Sequence, residues 1–315
     1  MRQTIRLGSF SGIPIGINWG LLLIAGFYTL NLAVGILPRS VADASPLAYW
    51  IFAAASVVLF FASILAHELG HSIVAQRSGI KVKEITLWFL GGVAVLDKEA
   101  DDPKTEFRIA IAGPAVSVAL AFAFGGLALV LAPLFGGGLL TFSLGYLALI
   151  NFVLAIFNLI PAAPLDGGRV LASFLWSRNG NRHRARANAA KAGVAFGTGL
   201  MAVGIFGLFT GAGTFLLAFL GFFLRAAAGA ERFRAEASDA LEGAEVSTAM
   251  SPVVAPISSG VTAAGVQAVS GGYQHPVAFP LVSGGTSVGL VPSTVVATIP
   301  EPQRGVVDVL SLIHI

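Results

Sequence analysis

The chain has 315 residues, of which 56% are hydrophobic and only 11% charged, with a mean hydropathy of +0.83. A water-soluble domain is nearer 25% charged, so this composition excludes an ordinary soluble globule and makes a multi-spanning membrane protein the default. The net charge of +3 does not point to nucleic acid, because the basic residues sit in short blocks between apolar runs and form no basic face with interleaved aromatics.

Arg2 and Arg6 precede the first apolar segment, at about 17–37. No convincing small-residue cleavage site follows it, so a retained span is expected rather than a removed leader. Further segments follow at about 48–76, 107–133, 139–175, 190–210 and 213–230. Each is near or above the ~20 residues that cross hydrocarbon. The fourth is too long for one simple helix, and "PAAP" interrupts it. Six spans are therefore expected. Lys and Arg alternate in support of that count: before residue 240, all but Arg39 and Arg169 fall on one side of the predicted topology. That side is expected to be the cytoplasm of a cell-membrane protein, with both termini on it.

Between the second and third segments, "KVKEITLWFLGGVAVLD" alternates in part and contains Gly91 and Gly92. It reads as a β-hairpin associated with the membrane domain, because strand backbone at membrane depth is tolerated where protein buries it or it lines a cavity. Past about residue 235 the composition shifts to Val, Ser, Pro and Gly with short strand-like runs. The expected division is a six-span membrane domain over 1–235 and a small cytoplasmic α/β module over 236–315. The end, "VVDVLSLIHI", offers no evident closing element, so the module is expected to be incomplete and the chain a fragment.

The second segment contains "AHELGH". On a helix, residues i and i+4 share a face about 6 Å apart along the axis, so His67 and His71 can each offer a ring nitrogen to one metal ion. Glu68 projects beside them, near enough to hold a water. This is the H-E-x-x-H zinc hydrolase arrangement, and ionisable groups in an apolar span are costly and by default functional. With no cysteine in the chain, a thiolate-ligated zinc and a cysteine nucleophile are excluded.

A catalytic zinc normally takes three protein ligands and keeps one position open. His183 in a basic loop, His275 in the tail module and His314 at the terminus all suit surface roles. Outside the HELGH stretch, Asp166 of "FNLIPAAPLDGGRVL" is the only acidic residue within the spans. Pro161 and Pro164 break the helix before it, and Gly167 and Gly168 allow close backbone approach behind it. Its plain alternative is a capping aspartate at the start of a short helix. The predicted topology puts both motifs in the later halves of spans that run in the same direction, so a His–His–Asp site at one depth is reasonable. Asn151 and Asn158 share a face seven residues apart. Either can bond between helices, and Asn158 reads equally as a donor to a developing oxyanion.

The segments "AHELGHSIVAQRSGIKV", "LWFLGGVAVL", "RIAIAGPAVS" and "FNLIPAAPLDGGRVL" resemble the signature segments of the site-2 protease family of intramembrane zinc metalloproteases, over roughly residues 5–235. The resemblance implies one Zn2+ per chain on His67, His71 and Asp166, Glu68 as general base, and a substrate or transition-state role for Asn158. It implies a hairpin that pairs with an unwound substrate strand. It also implies, as substrate, a single-span membrane protein such as an anti-sigma factor or similar regulator, cleaved within the bilayer. Residues 245–305 resemble one CBS motif, a module that takes a nucleotide, where that subfamily usually carries a pair. The competing reading is a non-catalytic zinc-binding or transport protein regulated by a CBS-like tail. A transporter should line several spans with polar residues, whereas here they gather at two motifs.

Overall fold

The structure, a computed structural model, describes residues 4–88, 91–211, 214–245, 254–272 and 278–312. The chain divides into two compact units, residues 1–242 and 243–315.

The first unit is a helical bundle with one four-stranded sheet. Its helices are α1 (Trp19–Ser40), α2 (Pro46–Arg77), α3 (Pro103–Phe135), α4 (Leu139–Asn158), α5 (Asp166–Asn179), α6 (Arg182–Phe209) and α7 (Phe215–Leu241). α1 passes through a π-helical stretch at Asn31–Ile36. Starts are marked chemically: Asn18, Ser45, Asp102 and Asn181 each accept a backbone N–H of the first turn from their side chains, and Pro46 and Pro103 occupy the first helical position, where a missing N–H costs nothing. α1, α2, α3, α4 and α6 are long and apolar enough to cross a bilayer. Their outward faces are bare apolar surface: Leu129 on α3 is 77% exposed and Phe209 on α6 is 86% exposed. Water would penalise such faces and hydrocarbon does not. The expected sixth span falls on α7, which carries Arg225 and, in its later half, Glu231, Arg232 and Arg234.

The expected fourth segment, 139–175, is two helices. α4 ends at Asn158, and α5 restarts at Asp166 after a turn that contains a cis Ala163–Pro164 peptide. The turn folds back tightly on α5: a Cβ at Gly168 would stand 2.6 Å from the Ala162 carbonyl carbon. Among small residues, α6 and α7 also pack at backbone distance. A Cβ at Gly197 would lie 2.6 Å from the Arg225 nitrogen.

The expected hairpin is β3 (Val82–Trp88) and β4 (Gly91–Leu96), antiparallel from Val82↔Leu96 to Trp88↔Gly91. Its tip, residues 89–90, lies outside the described residues. The hairpin is present as expected and belongs to a larger sheet. β1 (Ile5–Phe10) and β2 (Ile13–Ile17) form a second antiparallel pair, and β2 lies parallel to β3, giving the order β1-β2-β3-β4. The alternation in "IPIGI" was the available signal. Ile13 and Ile85 of the sheet close a core with Ala75 of α2 and Ile109 of α3.

The second unit contains β5 (Ile257–Ser258), α8 (Ala263–Ser270), β6 (Ala278–Ser283), β7 (Thr286–Pro292) and α9 (Ser293–Ala297). β5 pairs parallel with β6, and β6 antiparallel with β7. Phe279, Leu281, Val266, Val291 and Val296 form its core. The end segment packs onto this core: Val309 is fully buried, and the Ala263 N–H donates to the Val307 carbonyl.

Candidate metal centre

α2 is apolar at nearly every turn until His67, and both histidines lie on its inward face, His67 5% and His71 7% exposed. Their side chains are held by α3. His71 Nδ1 lies 2.6 Å from the Ile109 carbonyl oxygen, and His67 Nδ1 lies 2.9 Å from Ser117 Oγ. A carbonyl only accepts, so His71 carries its hydrogen on Nδ1 and the neutral ring presents a lone pair at Nε2. Ser117 allows His67 the same tautomer.

The two Nε2 atoms converge at 3.2 Å, and Asp166 Oδ2 stands 3.1 Å from His67 Nε2 and 3.2 Å from His71 Nε2. Asp166 is the first residue of α5, and the cap position is Leu165. Its carboxylate is aimed at the histidines, at a helix N-terminus that favours negative charge. Three acceptor atoms this close repel one another unless a proton or a metal ion sits among them. Ligand atoms on a tetrahedron around zinc, at about 2.0–2.1 Å from the ion, stand about 3.3–3.4 Å apart. The triangle therefore fits a zinc ion with little adjustment, and two imidazoles with a carboxylate are a donor set zinc accepts. Among the described residues, His67, His71 and Asp166 are a group able to hold a metal.

Space for the ion depends on Gly113. A Cβ there would stand 2.6 Å from His67 Nε2 and closer still to His71 Nε2. Gly92 on β4 plays the matching part for Glu68, since a Cβ would lie 2.9 Å from the Glu68 carboxyl carbon. Glu68 is thus pressed between α2 and the hairpin, beside the triangle and outside it.

These groups open on a cavity of about 680 Å3. Its walls are apolar, with Phe60, Ile64, Trp88, Phe157 and Phe223 among them, and its polar groups include His67, Glu68, His71, Asp166 and Asn158. The two asparagines separate by role. Asn151 is fully buried and its Nδ2 donates to Ser63 Oγ on α2 at 3.3 Å and to the Leu147 carbonyl at 2.9 Å. Asn158, at the end of α4, lines the cavity. His183 lies at the start of α6 and is not in the triangle; His275 and His314 lie outside the described residues. Sequence reasoning did not single out Glu106, Gly113, Ser117 or Arg169. Glu106, Gly113 and Ser117 fall with Ile109 on one face of α3, which was their legible signal; Arg169 lies on α5.

The model of peptidase family M50 matches residues 55–136 and 133–202. MJ0611 of Methanocaldococcus jannaschii, whose name describes a zinc metalloprotease, is 32% identical over 150 residues, covering 39% of this chain and 76% of that protein. The chain belongs to peptidase family M50, the site-2 protease family. Rip3 of Mycobacterium tuberculosis, also named as a zinc metalloprotease, is 41% identical over 252 residues, which is 79% of this chain and 64% of Rip3. The chain thus spans less than two thirds of that relative's length. A solved site-2 protease from Methanocaldococcus jannaschii is similar over 72% of this chain and 94% of that one, at 33% identity and a TM-score of 0.49. Family membership and five bilayer-length apolar helices make this a multi-pass membrane protein.

Proposed function

We propose that the chain is a zinc-dependent intramembrane endopeptidase. It would cleave a transmembrane segment of a single-span membrane protein, of the regulatory class to which anti-sigma factors belong. The observation that carries this reading is the triangle of His67 Nε2, His71 Nε2 and Asp166 Oδ2, with sides of 3.1–3.2 Å, facing Glu68 and an apolar cavity. His67 also lies ten residues before the end of α2, or about 15 Å along the axis, which is about half the hydrocarbon thickness.

His67, His71 and Asp166 would hold one zinc ion per chain. When bound, it supplies a lowered water pKa and a polarised carbonyl. Glu68 takes a proton from the attacking water and returns it to the leaving amine. Asn158 donates to the carbonyl oxygen as negative charge grows there. A peptide bond inside a substrate helix is shielded by its own hydrogen bonds. The substrate must unwind locally, and β4, at the edge of the sheet and on the cavity wall, offers backbone groups to the extended form.

The same proposal takes α7 as a sixth span, places both termini in the cytoplasm and the protein in the cell membrane, and reads residues 236–315 as a CBS-like module that takes a nucleotide. The strand–helix–strand–strand–helix order of the second unit supports that last part. The competing reading, non-catalytic zinc binding or transport, gives Glu68 no task.

Glu68→Gln separates the two. The purified variant should retain zinc at the wild-type stoichiometry and lose all measurable cleavage of single-span membrane proteins reconstituted with it. Cleavage at the wild-type rate would sink the protease assignment.

A further inference from the structure

Asp166 is the ligand with the weakest local support. It opens a 14-residue helix straight after an irregular turn, and the cap position before it makes no side-chain hydrogen bond. First turns fray when nothing holds them. The two histidines, by contrast, sit deep in a 32-residue helix and are each bonded to α3.

Arg169 supplies the missing restraint. It stands three residues beyond Asp166, on the same side of α5. Its Nε donates to Glu106 Oε1 at 2.9 Å. Glu106 is only 4% exposed and lies on α3, on the stripe that also carries Ile109, Gly113 and Ser117. One face of α3 thus meets His71 through the Ile109 carbonyl, His67 through Ser117, and the first turn of α5 through the Glu106–Arg169 pair. The pair continues outward. Arg186 Nη2 on α6 approaches Glu106 Oε1 at 3.9 Å, and Arg186 and Arg182 both pair with Glu99. Arg169 also sits in the wall between the metal-site cavity and a second, polar cavity of about 410 Å3 that Glu99, Glu106, Arg186 and Glu231 line.

We propose that the Glu106–Arg169 ion pair is a positioning device for the metal centre, holding the first turn of α5 so that Asp166 meets the two imidazoles on α3's own frame. This rests on the reading of His67, His71 and Asp166 as ligands. An ion pair whose carboxylate is buried and whose guanidinium is partly exposed is a poor source of net stability, but it demands one geometry. That is the property a metal ligand on a short helix requires, and groups that orient ligands govern affinity directly.

The test uses the full-length chain in detergent, with Zn2+ affinity measured by competition against a chromophoric chelator and the visible spectrum of the Co2+-loaded protein as a report of ligand geometry. Glu106→Gln and Arg169→Gln should each weaken Zn2+ binding by roughly 10- to 100-fold and alter the Co2+ bands. The double variant should be no weaker than the worse single one, because the two side chains act as a unit. Wild-type affinity and spectrum in both single variants, with only a lowered unfolding temperature, would overturn the inference, as would effects that simply multiply in the double variant. If Glu106→Gln fails to fold, Arg169→Lys carries the test: it keeps the charge and loses the guanidinium geometry, and it should still weaken Zn2+ binding. Equal affinity there overturns the inference. Absence of Zn2+ uptake by the wild-type chain would instead sink the metal reading itself.

Discussion

His71 gives its two ring nitrogens separate tasks, and the whole centre depends on that division. The Ile109 carbonyl takes the hydrogen of Nδ1, which leaves Nε2 as a lone pair aimed at the triangle. Ser117 stands in the same relation to His67. Ser117→Ala removes that orienting bond and should weaken Zn2+ binding by roughly tenfold or more, as read by chelator competition, while leaving the helical content unchanged. Gly113→Ala is harsher. Its Cβ would occupy the ion's place, 2.6 Å from His67 Nε2, and the zinc content of the purified protein should fall close to zero by elemental analysis. Retained zinc in that variant would show that the triangle is not the metal site. The three residues that converge in the triangle were readable from "AHELGH" and "LDGG", because their residue types and apolar context stand out locally. Gly113 and Ser117 were not readable as part of the site, since small residues in a membrane helix ordinarily serve helix packing.

Among the elements, the interrupted fourth segment and the sheet matter most. The two prolines and two glycines of "PAAPLDGG" stop α4 at Asn158 and restart the chain as α5, so that Asp166 sits at a helix N-terminus. Hydropathy alone carries the segment on to residue 175 because apolar residues, Val170, Leu171, Phe174 and Leu175, resume directly after the charged first turn of α5. The hairpin β3–β4 was legible from its alternation and glycines. Its extension by β2 and β1 was not, since β2's partner β3 is more than 60 residues away in sequence and that pairing is decided by the Ile13 and Ile85 core, while β1 joins the sheet only through β2. The connection from β4 to α3 is tied down by Glu99, which pairs with Arg182 and Arg186 on α6. Partial burial pushes the Glu99 pKa up, but the Arg186 hydrogen bond and the charges of Arg186 and Arg182 outweigh it and hold the pKa below the ordinary glutamate value. A depressed folded-state pKa means stabilisation that is present in full above the ordinary glutamate pKa of about 4.3 and lost as pH falls below it. The unfolding midpoint in detergent should therefore drop on acidification from pH 6 to pH 4, and drop less in Glu99→Gln. Because the glutamate side chain is 56% exposed, added salt should shrink the difference. An equal drop in both proteins would remove Glu99 from the account.

For the molecule as a whole, the division at residues 242 and 243 has a direct consequence. Every group that shapes the metal centre, from Gly92 and Glu106 to Asp166 and Arg169, belongs to the first unit. A chain ending at Glu242 should therefore bind Zn2+ with the affinity of the full chain, measured by the same chelator competition. A loss beyond about tenfold would mean that the second unit contributes to the site. By itself the sequence determined the membrane class, the alternation of basic blocks, the residue types of the His–His–Asp group and the hairpin, because each is written in local composition or short-range spacing. Only the tertiary structure decided that α3 meets His67, His71 and Arg169 on one face, that Asn151 bonds between helices while Asn158 lines the cavity, and that Glu106 faces Arg169. Those relations join residues tens of positions apart, and they exist only because packed helices bring one face of α3 against α2 and α5 at once.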